Sequence, residues 1–187
     1  TALPYLAKQF QDQGNVDDAI LTYKKALEVY PGKPAILVNL GYAHELKGEY
    51  AVAIQYYKKA LESDPDDAMV WVNIGVAQEK LGDMAAAVQS YEKAMDINPW
   101  NHLAHFNLGN HYYRSEDMPK AIAYYKKAVE LNPALPDAYF NLTRSYIKSQ
   151  QYEKALAAVR GGLQFDPVND MGIQMQADLN VYFELQQ

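Results

Sequence analysis

Proline recurs every 34 residues along this chain, at Pro31, Pro65, Pro99, Pro133 and Pro167. Small residues keep the same interval at Ala19, Ala53, Ala87, Ala121 and Ala155, and again at Ala26, Ala60, Ala94, Ala128 and Gly162. Tyr23, Tyr57, Tyr91 and Tyr125 form a third series, which Val159 continues. Several registers held in step over five successive units are a structural repeat, and a repeat of this length is one supersecondary unit that buries its apolar face only by stacking on its neighbours.

Inside each unit the apolar spacing is helical. Leu37, Leu40, Gly41 and His44 lie at i, i+3, i+4 and i+7 on one face of a first helix. Lys47-Gly48-Glu49 interrupts the pattern, with Gly48 suited to the left-handed residue that ends a helix. Ala53, Ile54, Tyr57, Ala60 and Leu61 then mark the buried stripe of a second helix. The closing proline stops that helix, because the residue before proline is pushed out of the α region. The expected fold is all-α: five antiparallel helix hairpins over 1–33, 34–67, 68–101, 102–135 and 136–169, followed by an extra helix over 170–187. Asp117 is placed to cap a helix whose first turn accommodates Pro119. Gly161-Gly162 predicts a frayed helix end or one pressed by a neighbouring backbone.

The third unit, WVNIGVAQEKLGDMAAAVQSYEKAMDINP from Trp71 to Pro99, closely resembles the tetratricopeptide repeat family at its Trp, Leu-Gly, Ala, aromatic, Ala and Pro positions. The resemblance extends over residues 1 to about 169. Ala7 and Thr143 depart from it at the first-helix glycine, Glu116 and Gln150 at the inter-helix glycine, and His44 and Gln78 at a tyrosine. It implies a right-handed superhelical solenoid whose inner wall is lined by the first helix of each pair. Extended peptides or a partner protein would lie in that wall.

The residues assigned to the wall begin with Asn39, Asn73, Asn107 and Asn141, again 34 apart. Asparagine is a mediocre helix former, so its recurrence in mid-helix requires a reason. A primary amide offers donors and an acceptor together and can hold both the N–H and the C=O of a peptide bond. The column is similar to the asparagine ladder of the O-linked N-acetylglucosamine transferase repeats. The alternative is that these amides bond between adjacent helices. Val38, Val72, Phe106 and Phe140 precede the ladder by one residue, and Tyr42, Val76, Asn110 and Arg144 follow it by three. Ala35, Met69 and Leu103 sit one turn earlier. The expectation is an apolar groove, acidic near Glu45 and Glu79 and basic near Arg114, Arg144 and Lys148, which favours a ligand with an acidic group toward the last repeats. A carboxylate-clamp subgroup of the family needs Lys with Asn around the ladder. The pairs here are Val38 with Tyr42, Val72 with Val76 and Phe106 with Asn110, so that subgroup is rejected.

Composition bears on the function class. Asp and Glu outnumber Lys and Arg by 23 to 17, for a net charge of −6, which argues against a phosphate-binding surface and so against nucleic acid. Cysteine is absent, excluding thiol chemistry and thiolate zinc sites. No apolar run approaches the roughly 18 residues of a membrane span. Of the four histidines, His102 and His105 could share a helix face, but no third ligand accompanies them. No phosphate loop or nucleophile motif is present. The sequence therefore reads as a non-enzymatic, cofactor-free binding scaffold, with self-assembly, or service as the repeat domain of a larger enzyme, as alternatives. A cytoplasmic setting is favoured and a bacterial periplasm is compatible. The chain opens at Thr1 without methionine and reads as an excised fragment.

The tail carries two apolar rows, Ile173, Ala177, Val181 and Leu185 on one side and Met171, Met175, Leu179 and Phe183 on the other. Asp170 is the expected cap. One row should cover the last hairpin. Leu179 and Phe183, or the opposite row if the helix docks in reverse, should form an association surface, through which a homo-oligomer could form.

Overall fold

The computed structural model describes residues 2–186, and among them eleven α-helices and no strand are found. They divide into two compact units that meet in sequence at Pro99 and Trp100. The first unit holds α1 (Ala2–Asp12), α2 (Val16–Val29), α3 (Pro34–Leu46), α4 (Tyr50–Leu61), α5 (Ala68–Lys80) and α6 (Met84–Ile97). The second holds α7 (His102–Arg114), α8 (Met118–Leu131), α9 (Pro136–Lys148), α10 (Tyr152–Phe165) and α11 (Asp170–Glu184). Consecutive helices pair as hairpins, α1 with α2 through α9 with α10. Within each unit the second helix of a hairpin also packs on the first helix of the next: α2 on α3 and α4 on α5, then α8 on α9 and α10 on α11. The first helices α3, α5 and α9 are thus held from two sides.

One contact recurs in the middle hairpins. A Cβ added at Gly41 would lie 2.6 Å from the Tyr57 ring, at Gly75 2.5 Å from Tyr91, and at Gly109 2.6 Å from Tyr125. All three rings are fully buried. The glycine lets the ring lie close on the first helix, and a Cβ at any of these three positions would force the ring to shift. Where the tyrosine becomes Val159 the glycine register carries Thr143, and both residues are fully buried. The Thr143 hydroxyl is satisfied by donating to the Tyr139 carbonyl at 2.8 Å.

Helix starts follow the side chains expected of them. Asp67 accepts from the Met69 and Val70 amides at 2.9 and 3.1 Å, Asp83 from Ala86, and Asn101 from Ala104. Asp117 caps α8 by accepting from Lys120, with Pro119 in the first turn as its fixed φ permits. The inter-helix residues Gly48 and Gly82 adopt φ of 76° and 85°, whereas Glu116 (62°) and Gln150 (57°) hold the same left-handed backbone without glycine's freedom.

Two expectations require correction. The Gly161-Gly162 end of α10 is neither frayed nor pressed by backbone. Its would-be Cβ atoms lie 2.7 Å from the Tyr139 and Phe140 rings respectively, so aromatic side chains from α9 occupy the space. The cap of α11 is Asn169, which accepts from the Gly172 amide at 3.0 Å, and Asp170 is the first helical residue.

In an open helix interior Gly→Ala stabilises by about 1 kcal/mol. At Gly75 the ring contact reverses the sign: Gly75→Ala is expected to destabilise by about 1–3 kcal/mol in urea unfolding, the usual range for overpacking. Gly75→Ala with Tyr91→Val should lose less than the sum of the two single changes. In the loops, Gly48→Ala should cost about 1 kcal/mol, while Glu116→Gly should hold or raise the thermal midpoint.

Candidate ligand-binding surface

The buried tyrosines pack along the first helix of their hairpins, and in the second to fourth hairpins each hydroxyl meets an acceptor on that helix. In the first unit the Tyr57 hydroxyl donates to Glu45 Oε2 at 2.9 Å and the Tyr91 hydroxyl to Glu79 Oε2 at 3.2 Å. Burial pushes the Glu45 carboxyl above its ordinary 4.5, opposed by the Tyr57 hydrogen bond and by the nearby Lys80 charge. Burial, together with the Glu45 charge, likewise raises the Tyr57 phenol. A second polar pair lies in the second hairpin, where the buried His44 ring stacks on Tyr56 with centroids 5.3 Å apart and bonds Glu49 through Nδ1. That bond is the largest cause holding the Glu49 carboxyl below its ordinary value.

In the second unit the chemistry at the same register changes. Position 113, one repeat beyond Glu79, is tyrosine, so the Tyr125 hydroxyl donates instead to Asn110 Oδ1 at 2.8 Å. The Asn141 amide donates to the same oxygen at 3.0 Å. Both lone pairs of Asn110 Oδ1 are thereby used, which orients its NH2 group and leaves the Asn141 carbonyl oxygen as an acceptor. Arg144 lies over the Tyr113 ring at 5.0 Å and Lys148 over the same ring at 4.8 Å. Lys148 also approaches Glu116 at 3.6 Å. Asn110, Tyr113, Arg114, Tyr125, Asn141 and Arg144 enclose a pocket of about 200 Å³ between α7 and α9. Burial raises the Tyr125 phenol, while the Arg114 and Arg144 charges pull it back down. The pocket therefore combines two guanidinium groups, an oriented amide donor and an amide acceptor, a set suited to a carboxylate beside a peptide group.

Sequence comparison bears on what such an array is. The tetratricopeptide repeat signature matches residues 6–68 and 47–102, then 102–135 and 124–157. The chain belongs to the tetratricopeptide repeat family. No curated protein matches it. Among solved structures this tetratricopeptide chain is similar to PilF of Pseudomonas aeruginosa, at 24% identity and a TM-score of 0.86, over 98% of this chain and 83% of that one. It is similar to MamA at 25% identity and a TM-score of 0.72, over 86% and 94%. It also resembles YrrB, described as a TPR protein with an unusual peptide-binding site, at 20% identity and a TM-score of 0.66, over 94% and 90%. Among the described residues no helix is long and apolar enough to cross a membrane.

The residues singled out from the tetratricopeptide sequence separate in space. Asn110, Asn141 and Arg144 converge in the basic pocket. Asn39, Asn73 and Asn107 are half-buried, and Tyr42 and Met69 are exposed. Val72 and Phe140, expected to line the groove, are core residues only 3% and 1% exposed and offer nothing to a ligand. Val38 packs against the Tyr57–Ile74 core, and Phe106 against the core around Tyr125. For α3, α5 and α9 the reason is that each is covered both by its own partner and by the preceding second helix, leaving a narrower outward strip than a free amphipathic helix has. In the tail, Leu179 is 4% exposed and belongs to the core, with Met175 packed beside it and Phe183 half-buried. The helix docks with Met175 and Leu179 inward, while Ile173, Val181 and Leu185 of the other row are exposed, as is Met171 at its start. Tyr113 and Tyr125 were not singled out as site residues. The signal for them was the change from Glu45 and Glu79 to Tyr113 at one register.

Because the Glu45 carboxyl is raised in the folded state, its neutral form is the one folding favours. That contribution is present below the unfolded value near 4.5 and is lost as pH rises through the folded value. Glu45→Gln, which keeps an acceptor for Tyr57, should be more stable than the parent at pH 7. The gap should close below about pH 4, as read from thermal midpoints across the range.

Proposed function

We propose that this chain is a protein-binding scaffold that holds an extended segment of a partner against its first helices, with an acidic side chain or carboxylate of that segment seated between Asn110, Asn141, Arg114 and Arg144. The observation that carries this reading is the pairing of Asn141 with Asn110, which already accepts from Tyr125. The arrangement fixes two amides at the mouth of a cationic pocket and leaves an amide donor and an amide acceptor for a backbone. Arg144 is held by the face of Tyr113 and forms no ion pair among the described residues, so its charge is available to a ligand. The description of YrrB as a peptide-binding TPR protein supports the same class of function. The role is recruitment into a larger assembly by binding rather than by catalysis.

Asn39 and Asn73 offer the same amide chemistry on α3 and α5 of the first unit, beside exposed Tyr42 and Met69. Glu45 and Glu79 make that surface acidic, so it suits a neutral or basic stretch of a partner rather than its acidic anchor.

Panning random dodecapeptides against the whole chain should enrich sequences rich in Asp and Glu. Arg144→Glu with Asn110→Ala should weaken those peptides about tenfold or more, since a charge-assisted bond and a neutral one are lost at roughly 1–3 kcal/mol each. Peptides without acidic bias that bind this variant as well as the parent would overturn the reading.

A further inference from the structure

The fourth hairpin has a ring that the fifth lacks. Tyr124 on α8 sits against two aromatic neighbours from α7, stacked on Tyr112 with centroids 5.4 Å apart and an interplanar angle of 5°, and tilted on His105 at 5.9 Å. One repeat on, His105 becomes Tyr139 and Tyr112 becomes Tyr146, so both walls remain aromatic. Tyr124, however, becomes Ala158. The second hairpin fills the same inner register with the His44–Tyr56 stack, and the third fills it with a Ser90–Gln78 hydrogen bond of 2.6 Å.

The fifth hairpin has a cavity at this register. A cleft of about 520 Å³ is lined by Tyr139, Tyr146, Leu142 and Ala158, together with Val129 and Lys126 of α8 and Lys154 of α10. Its floor is buried, with Leu142 4%, Tyr146 7% and Ala158 7% exposed. Burial of Tyr146 also raises its phenol. At the rim, Lys154 approaches the Tyr146 face at 6.0 Å, repeating the Lys120 contact with Tyr112 at 4.8 Å. Lys126 has no ion pair among the described residues, whereas Glu130 at the same rim is taken by Lys127 at 2.9 Å. The rim is therefore net cationic over an aromatic-walled slot, at a place where the preceding hairpin carries a tyrosine.

We propose that this slot is a second docking site, for one aromatic side chain of a partner protein segment that carries acidic residues beside it. The ring takes the place Tyr124 occupies one repeat earlier, and the flanking carboxylates meet Lys126 and Lys154. The site rests on the reading of this chain as a protein-binding scaffold, but it uses α8–α10 surfaces separate from the pocket at Asn110 and Arg144. A partner engaging both would be held by an acidic anchor at one site and an aromatic one at the other, and linked contacts of that kind raise overall affinity without any single strong contact.

The test uses the whole chain, 15N-labelled, titrated with the peptides Ac-Glu-Tyr-Glu-NH2 and Ac-Glu-Ala-Glu-NH2 and followed by 1H–15N shifts. The tyrosine peptide should bind at least tenfold more tightly and should move amides around Ala158 and Leu142. Ala158→Tyr fills the slot from within and should weaken the tyrosine peptide at least tenfold while holding or raising the thermal midpoint. Lys126→Glu with Lys154→Glu, both at the rim, should also weaken it severalfold without disturbing the fold. Arg144→Glu should leave it bound. Equal binding of the two peptides, or undiminished binding to Ala158→Tyr, overturns the proposal. Loss of binding in Arg144→Glu with retention in Ala158→Tyr also overturns it, because that pattern assigns the peptide to the α7–α9 pocket and leaves the scaffold reading standing.

Discussion

The contact on which the rest of this molecule depends is a tyrosine ring lying on a glycine. At Gly41, Gly75 and Gly109 the first helix presents bare backbone, and Tyr57, Tyr91 and Tyr125 lie within van der Waals reach of it. Each ring is fully buried, so its hydroxyl is a donor that needs an acceptor on the first helix, close to the glycine under the ring. The packing of the hairpin therefore dictates part of the chemistry of the surface. In the second and third hairpins the acceptor is a glutamate. In the fourth it is Asn110, and the position released by the missing glutamate carries Tyr113, the shelf on which Arg144 and Lys148 rest. Loss of the glutamate removes a negative charge at that register, and Arg144, where earlier repeats carry Tyr42, Val76 and Asn110, adds a positive one.

The terminal hairpins show how far this device can be altered. The fifth replaces the glycine and tyrosine by Thr143 and Val159, keeping both fully buried. It then moves aromatic packing elsewhere: Tyr139 and Phe140 press on Gly161 and Gly162, and Phe140 also meets Gly172 of α11. The adjacent glycines that look like a helix defect in sequence are the sockets for those rings. In the first hairpin, Tyr23 keeps its ring against a helix with Ala7 at the glycine register, and burial pushes its phenol up to about 12. Its hydroxyl and Gln11 Oε1 are both buried without partners among the described side chains, at the registers where the next two hairpins place the Tyr–Glu bond.

The fold was legible because a 34-residue period constrains every helix at once: Pro119, Gly48 and Asp117 each take the local role their chemistry suggests. The site was less legible. Register reasoning picks out Asn110, Asn141 and Arg144, which line one pocket, but it also places Val72 and Phe140 on the surface, where they are core. A periodicity argument sees one helix with one apolar stripe. It does not see that α5 and α9, which carry Val72 and Phe140, are gripped both by their own partners and by the preceding second helices, which buries a neighbouring row as well. The tail failed for a related reason: Leu179 and Val181 lie in equally regular rows, and only the docking of α11 on α10 decides which is core. The ladder also divides. Asn141 bonds to another first helix through Asn110, and that bond fixes the orientation of the pair.

In the proposed function the basic amide pocket between α7 and α9 holds a partner's acidic segment. The most direct measurement is a 1H–15N shift map of the whole chain with an acidic peptide recovered by panning. The account predicts the largest changes at Asn110, Tyr113, Asn141 and Arg144, with shifts that shrink as salt is raised. Changes centred on α2 or α4, or on the acidic surface at Glu45 and Glu79, with the α7–α9 amides unmoved, would contradict it.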